Sequence, residues 1–196
     1  MTWLNPIMAK LANSITVGCW LALFAYWFFS ALTAKAVAER KSFRSSLAYR
    51  VPFLFGAILI WDPRLFHKLN VLIIPHTVVS QALGALGCVA GLFVAIWARW
   101  TLAGNWSSNV TFKQGHELIK TGPYRFARHP IYTGILLMIL ATTVQLGWLR
   151  CWIGLVFMFV ALWTKLKQEE TLLLQHFPDT YPAYQKQVKA LVPFVI

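Results

Sequence analysis

The chain has 196 residues, of which 58% are hydrophobic and 12% are charged, and its formal net charge is +12. This composition and the mean hydropathy of +0.59 exclude an ordinary soluble domain, in which about 25% of residues are charged. The apolar runs between the cations exceed what a soluble core of this size needs, so the basic excess does not indicate a nucleic-acid-binding protein.

Long apolar segments predict an all-α integral membrane protein with about five transmembrane helices. Crossing a hydrocarbon core of about 30 Å takes roughly 20 mostly apolar residues. The predicted spans cover residues 13–34, 47–61, 77–100, 131–146 and 152–163. The first span is expected to remain as an anchor, because its apolar stretch is too long for a cleavable signal and no small-residue cleavage site follows it.

Three details refine this prediction. Gly84, Gly87 and Gly91 fall on one face of the third helix, where small residues let helices approach closely. A short turn over residues 147–150 joins the fourth and fifth spans, and the last helix is expected to continue beyond the membrane until Pro178. Residues 69–75 are candidates for entering the interface without crossing.

The positions of the cations predict the orientation. With the amino terminus outside, every Lys and Arg falls on the inner side except Lys10, Arg64, Lys68 and Arg150. The positive-inside rule then places residues 118–134 and the carboxy-terminal tail together on the cytoplasmic side. The length and the lack of an organelle signal favour a prokaryotic inner membrane.

No metal site or disulfide framework is expected. Cys19, Cys88 and Cys151 lie in or beside apolar spans without a CxxC spacing, so they are interpreted as buried hydrophobic residues. His67, His76 and His176 are too scattered to share a metal and are interpreted as surface or interface residues. The long connection over residues 102–128 is expected to be functional, and residues 105–112 predict a short hairpin or an extended loop.

Residues 118–134 form the most informative segment of the chain. They concentrate three cations, one histidine, two tyrosines and two prolines at the start of an apolar run. In a chain with so few charges, this segment predicts a site for an anionic or strongly polar ligand at the membrane surface. Taken singly, Arg125 and Arg128 also suit lipid-phosphate contacts, and the tyrosines suit an interfacial aromatic belt.

The order of several motifs resembles the isoprenylcysteine carboxyl methyltransferase family, which is related to the phospholipid N-methyltransferases. The motifs are Gly104-Asn105-Trp106-Ser107, His116-Glu117-Leu118-Ile119, Gly122-x-Tyr124, Arg128-His129-Pro130-x-Tyr132-x-Gly134, and Glu169-Glu170 followed by Phe177, Tyr181 and Tyr184. The resemblance covers roughly the last half of the chain. It divides a single membrane domain into a two-span region over residues 1–76 and a methyltransferase core over residues 77–196.

The resemblance implies an enzyme that uses S-adenosyl-L-methionine. The family's cofactor contacts fall on His116, Glu117, Leu118, Ile119, Tyr124, His129, Pro130, Ile131, Tyr132 and Glu169. His129 and the backbone N–H groups beside it, at the start of the fourth span, suit the cofactor carboxylate. Glu169 suits a positive charge near the transferred methyl group, and Glu170 is the second choice for that role.

The resemblance also assigns an acceptor contact. Lys165, one helical turn before Glu169, stands where the family commonly has an arginine that touches the substrate, so Lys165 and Glu169 are the predicted catalytic pair. Lysine keeps the charge but loses the planar fork that grips a carboxylate. The usual Phe-Gly after the acidic pair is Phe177-Pro178 here. Both departures weaken an assignment to prenylcysteine itself.

The predicted function is methyl transfer to a lipophilic acceptor at the cytoplasmic membrane face, with carboxyl O-methylation of an isoprenylcysteine-like substrate as the main reading. The expected partners are a lipophilic or prenylated substrate and membrane lipid, without nucleic acid or metal. The alternatives are amine or phospholipid N-methylation, a reductase resembling the NADPH-dependent sterol reductases, and a non-enzymatic membrane protein in which Glu169 and Glu170 form only a solvated helix face.

Overall fold

The computed structural model describes residues 6–31, 37–40, 43–103, 111–113, 118–193 and 195. The α-helices in these ranges are α1 (Pro6–Ala31), α2 (Phe43–Trp61), α3 (Val78–Leu102), α4 (Pro130–Leu146), α5 (Leu149–His176) and α6 (Tyr181–Gln187). A small antiparallel ribbon pairs β1 (Val37–Arg40) with β2 (Thr111–Lys113). The predicted all-helical membrane architecture is confirmed, with the ribbon as an addition to it.

The five predicted spans correspond to helices α1 to α5, although these helices differ in length and in apolar composition. By length and composition, α1, α3 and α5 are long and apolar enough to cross a membrane, and α4 is a shorter apolar helix. Arg44, Arg50 and Pro52 lie within α2, the helix that contains the predicted second span. The predicted extension of the last helix is confirmed, because α5 continues without interruption to His176.

Paired glycines set the distance between neighbouring helices. A Cβ atom added to Gly91 of α3 would lie 2.6 Å from the carbonyl oxygen of Gly134 in α4, and one added to Gly134 would lie 2.6 Å from that of Gly91. Gly56 of α2 and Gly154 of α5 are related in the same way, at 2.7 and 2.8 Å. Because no side chain fits at these crossings, the backbones pack directly on one another, as predicted for the small-residue face of α3.

Buried polar side chains join α1 and α3 to the far end of α4. Gln145 of α4 donates to the Gln81 side chain of α3 at 3.2 Å, and the Thr16 hydroxyl of α1 donates to Gln145 at 2.5 Å. The Trp20 indole of α1 donates to the Thr142 hydroxyl at 3.0 Å. Each bond satisfies polar atoms that would be costly to leave unpaired in an apolar surrounding.

The turn between α4 and α5 is shorter than the predicted residues 147–150. Gly147 ends α4 with φ = 71°, a left-handed conformation that favours glycine, and α5 begins at Leu149. Arg150 is therefore inside α5, where it is buried. It donates to the Leu59 and Ile60 carbonyls at 2.6 and 2.5 Å, so it caps the end of α2.

Two further predictions have different outcomes. Strand β2 pairs with β1, which precedes α2, so Thr111 and Phe112 join a ribbon closed over a long sequence separation; the rest of the predicted 105–112 hairpin lies outside the described residues. Residues 69–75 pack on the α4–α5 turn, with the Ile73 N–H donating to the Gly147 carbonyl at 2.7 Å. In the structure α1 packs on α3, and α2 packs on α5. The predicted division of the chain into a two-span region and a methyltransferase core at residue 76 stays a prediction.

Candidate active site at the start of helix α4

The carboxy-terminal tail docks against the polar segment that precedes α4. The Arg128 N–H donates to the Lys189 carbonyl at 2.8 Å, and the His129 N–H donates to the Ala190 carbonyl at 2.9 Å. The Thr133 hydroxyl, one turn into α4, donates to the Leu191 carbonyl at 2.7 Å. The tail therefore lies alongside the start of α4, as expected from their shared predicted side of the membrane.

Two tyrosines of the tail point inward and fasten it. The Tyr184 hydroxyl donates to the Tyr124 carbonyl at 2.5 Å, and the Tyr181 hydroxyl donates to Glu170 at 3.3 Å. Burial raises the pKa of the Tyr184 phenol to about 12, so this group keeps its proton at neutral pH. The alternative that these tyrosines belong to an aromatic belt at the membrane interface is wrong for both, because each side chain is buried in the protein.

Arg128 forms a buried ion pair with Glu170 of α5. Its Nε and Nη2 atoms donate to Glu170 Oε1 at 2.9 and 2.6 Å, and its Nη1 atom donates to the Gln185 and Val188 carbonyls. The side chains of Arg128 and Glu170 are 10% and 5% exposed. Arg128 therefore does not serve as a lipid-phosphate contact, and Glu170 does not lie on a solvated helix face. The buried pair instead connects the tail, the start of α4 and α5.

Glu169 faces a different set of groups from its neighbour, since adjacent helical residues point about 100° apart. The Tyr132 hydroxyl donates to Glu169 Oε1 at 2.6 Å, and His129 Nδ1 lies 3.7 Å from Glu169 Oε2. The Glu169 side chain is 24% exposed. Of the two glutamates, Glu169 is thus the more exposed, and Glu170, the second choice of the sequence analysis, is buried.

The His129 ring lies between the two glutamates. It stacks on the Tyr132 ring, with 5.6 Å between centroids and 4° between planes. Its Nε2 atom is 3.5 Å from Glu170 Oε1 but, among the described residues, has no partner with hydrogen-bond geometry. The His129 ring is therefore a buried polar group that is flanked by two carboxylates and has one ring nitrogen without a hydrogen bond in the described structure.

Lys165 completes the cluster one turn before Glu169. Its ammonium nitrogen is 5.4 Å from the centroid of the Tyr132 ring and 5.7 Å from that of the Tyr49 ring in α2. Both distances fall within the range of cation–π attraction. Tyr49 was not among the sequence predictions, because a lone tyrosine in an apolar run carries no sign of a role.

The structure brings together the predicted residues from the start of α4 and from α5. Pro130 begins α4, and Ile131 is buried in the main apolar core beside it. Tyr124 is buried in the preceding 3-10 turn, and the pKa of its phenol is raised by burial and then by the nearby Glu169 carboxylate. Leu118 and Ile119 are partly buried. His116 and Glu117 lie outside the described residues.

The structure narrows the set of backbone donors that the prediction offers to a cofactor carboxylate. The N–H groups of Arg128 and His129 already donate to the tail, and Pro130 has none. The donors that remain at this end of α4 are the first-turn N–H groups of Ile131 and Tyr132, which have no intrahelical carbonyl to bond.

The chemistry of these residues fits S-adenosylmethionine. A partly exposed carboxylate and two aromatic rings suit a ligand with an ammonium and a sulfonium, and His129 Nε2 is a buried polar atom without a hydrogen bond in the described structure. Groups of His, Cys, Asp and Glu that could hold a metal ion do not occur within the described residues.

Comparison with known proteins finds similarity to a named family over the segment that contains this site. The model of the isoprenylcysteine carboxyl methyltransferase (ICMT) family matches residues 82–175, from α3 through Glu169 to almost the end of α5. The protein-S-isoprenylcysteine O-methyltransferase of Saccharomyces cerevisiae is 31% identical over 125 residues, 61% of this chain and 51% of that protein. Its counterpart in Schizosaccharomyces pombe is 31% identical over 84 residues, 41% and 34% of the two chains.

A solved structure shares the fold. It is described as the eukaryotic intramembrane Ras methyltransferase ICMT, and it superposes with a TM-score of 0.51 and 23% sequence identity over 78% of this chain and 52% of that one. The chain spans about half the length of the curated relative from S. cerevisiae and of this structure. The resemblance seen in the sequence motifs is thereby confirmed for residues 82–175.

Proposed function

We propose that this chain is an S-adenosylmethionine-dependent methyltransferase that methylates the carboxylate of a lipophilic, isoprenylcysteine-like acceptor. The observation that carries the proposal is the convergence of Tyr132 from α4, and of His129 just before α4, with Glu169 from α5, at 2.6 and 3.7 Å. These residues lie within the segment that matches the methyltransferase family. The names of the relatives support carboxyl O-methylation over amine methylation, sterol reduction or a non-enzymatic role.

Each residue at the start of α4 has a role in holding the cofactor. The first-turn N–H groups of Ile131 and Tyr132 face the anionic end of a ligand, since a helix amino terminus favours negative charge. The His129 ring, fixed by stacking on Tyr132, offers a polar atom beside them. Glu169, which accepts a hydrogen bond from Tyr132, places a negative charge in the same site and would hold the positive part of the cofactor.

When bound, S-adenosylmethionine supplies a methyl group on a positively charged sulfur, and the products are a methyl ester and S-adenosylhomocysteine. A carboxylate acceptor is already a nucleophile and needs no proton removed. The protein's contribution is therefore alignment of acceptor and methyl group, which contributes several kcal/mol in well-oriented reactions. Glu169 orients and stabilises charge in this scheme, with no proton transfer assigned to it.

Lys165 is the proposed contact for the acceptor's negative charge. Its ammonium lies one helical turn from Glu169, which separates an anion-binding end of the site from a cation-binding end. The lipophilic part of the acceptor remains between helices, because each CH₂ moved from lipid to water costs about 0.8 kcal/mol. An acceptor therefore reaches Lys165 laterally from the membrane.

The positive-inside rule supports an active site at the cytoplasmic face of the membrane. The cofactor then enters from the cytoplasm. We propose further that residues 77–196 form the methyltransferase core and that residues 1–76 complete it from the side, since α1 packs on α3 and α2 packs on α5.

A transfer assay tests the proposal. Purified protein in lipid nanodiscs is incubated with methyl-labelled S-adenosylmethionine and one of three acceptors: N-acetyl-S-farnesylcysteine, its methyl ester, or phosphatidylethanolamine. The proposal predicts label only in the free carboxylate, as a base-labile methyl ester. Label in phosphatidylethanolamine would assign N-methylation instead, and saturable NADPH binding without transfer would favour the reductase.

A further inference from the structure

Tyr49 lies outside the segment that matches the methyltransferase family and yet contacts the predicted acceptor end of the site. Its ring centroid is 5.7 Å from Lys165 Nζ, and Tyr132 provides a second ring at 5.4 Å. The Lys165 ammonium is therefore held by aromatic rings from two other helices. One of these rings comes from the two-span region before residue 76.

The position of Tyr49 is fixed by the packing of α2 on α5. The Gln168 side chain of α5 donates to the Ser45 carbonyl of α2 at 2.9 Å, one turn before Tyr49. Tyr49 itself is buried and clusters with Leu172 of α5. Further along, the crossing of Gly56 and Gly154 sets the register of the two helices.

We propose that Tyr49 is a positioning residue for Lys165, and that this pair forms the end of the site that selects an acceptor with a carboxylate. The proposal rests on the function proposed above. An ammonium held over two rings keeps a defined place, whereas a free lysine side chain samples many rotamers and loses that freedom on binding. A lysine here lacks the rigid fork of an arginine, so the rings supply the missing orientation.

The charges near Lys165 agree with an anionic ligand. Arg50, next to Tyr49 on α2, and the Glu169 carboxylate both act electrostatically on Lys165. The Lys165 ammonium lies over the Tyr132 and Tyr49 rings and is a positive charge that an acceptor carboxylate would meet there. A neutral ester or an amine would gain nothing from that charge.

A protection experiment tests the inference without requiring turnover. The protein is trace-acetylated with acetic anhydride, and mass spectrometry gives the acetylation of Lys165 relative to Lys167, whose side chain is 54% exposed. N-acetyl-S-farnesylcysteine is expected to protect Lys165, and its methyl ester is not. Equal protection by both compounds, or by neither, would overturn the inference.

Substitutions at Tyr49 then separate positioning from simple packing. Tyr49→Phe keeps the ring and is expected to leave the half-protecting concentration within about twofold, while Tyr49→Leu is expected to raise it between about 2- and 30-fold. Tyr49→Met serves if the leucine variant does not elute as a monodisperse species. Equal shifts in the phenylalanine and aliphatic variants, or no shift in any, would contradict the role of the ring.

The outcome is distinguishable from failure of the proposed function. Methyl transfer is measured on the same samples. Carboxylate-selective protection that depends on Tyr49, together with no transfer to any acceptor, would sink the proposed reaction and support the inferred binding end. Transfer with an acceptor KM that is unchanged in Tyr49→Leu would support the reaction and overturn the inference.

Discussion

The Tyr132 hydroxyl donates a hydrogen bond of 2.6 Å to Glu169, which joins the first turn of α4 to the distal part of α5. The two residues are 37 positions apart in the chain. Tyr132 also stacks on His129 and lies under the Lys165 ammonium, so this one ring contacts three of the predicted site residues. It is the structural centre of the candidate site.

Tyr132→Phe is expected to lower kcat for methyl transfer about 10- to 150-fold. The substitution keeps the ring stack and the cation–π contact but removes a hydrogen bond to a charged group, which is worth about 1.5–3 kcal/mol. Steady-state kinetics with a saturating cofactor concentration measures the effect. Tyr26→Phe, at a tyrosine of α1 that is not among the predicted site residues, is the control and should leave kcat unchanged. An unaltered kcat in Tyr132→Phe would remove the bond from the mechanism.

Glu169→Gln is expected to reduce transfer by at least about 100-fold and to leave the thermal unfolding midpoint nearly unchanged. The amide keeps the shape but removes the charge that faces the cofactor, and preorganised charge of this kind typically contributes that much. Asp179→Asn removes a carboxylate from an exposed position and provides the matched control. If both variants retain full turnover, Glu169 has no catalytic role.

Glu170→Gln is expected to destabilise the protein by about 3–5 kcal/mol, because it leaves the buried Arg128 guanidinium without its carboxylate. The reason is structural, since this pair anchors the tail. Lys167→Gln removes the exposed partner of the same glutamate, 3.6 Å away, and should cost less than about 1 kcal/mol. Denaturant unfolding in detergent compares the two, and equal losses would show that the Arg128 pair contributes little.

Gly91→Ala and Gly134→Ala are each expected to destabilise the fold by about 1–3 kcal/mol, the usual cost of overpacking. In either case the new methyl group would lie 2.6 Å from the opposing backbone oxygen. Gly18→Ala is the control, because a Cβ atom there meets nothing within 4 Å. Thermal unfolding of the three variants gives the comparison. A Gly18→Ala loss as large as the others would show that the contact with the opposing backbone is not the cause.

Much of the helical framework follows from the sequence because apolar runs and helix-ending residues act locally. Gly147 and Pro178 bracket α5 as the pattern predicts, and the small residues of α3 do mark its close contact with α4. The resemblance of the motifs from Tyr124 to Glu169 to the methyltransferase family likewise implies that these residues share a site.

Contacts between distant segments could not be predicted in this way. Hydropathy does not say which span packs on which, so neither the approach of Tyr49 to Lys165 nor the pairing of β1 with β2 was foreseeable. Arg128 and Arg150 look alike in sequence as interfacial cations. Each is instead buried because carbonyl oxygens, and for Arg128 also the Glu170 carboxylate, surround it in the folded chain.

Calorimetric binding of S-adenosylhomocysteine to the detergent-purified protein tests the central claim most directly, because the product analogue needs no knowledge of the acceptor. The account predicts saturable binding that is lost in both His129→Ala and Glu169→Ala, while both variants remain folded by circular dichroism. No binding to the folded wild-type protein would contradict the methyltransferase assignment, and NADPH binding in its place would support a reductase.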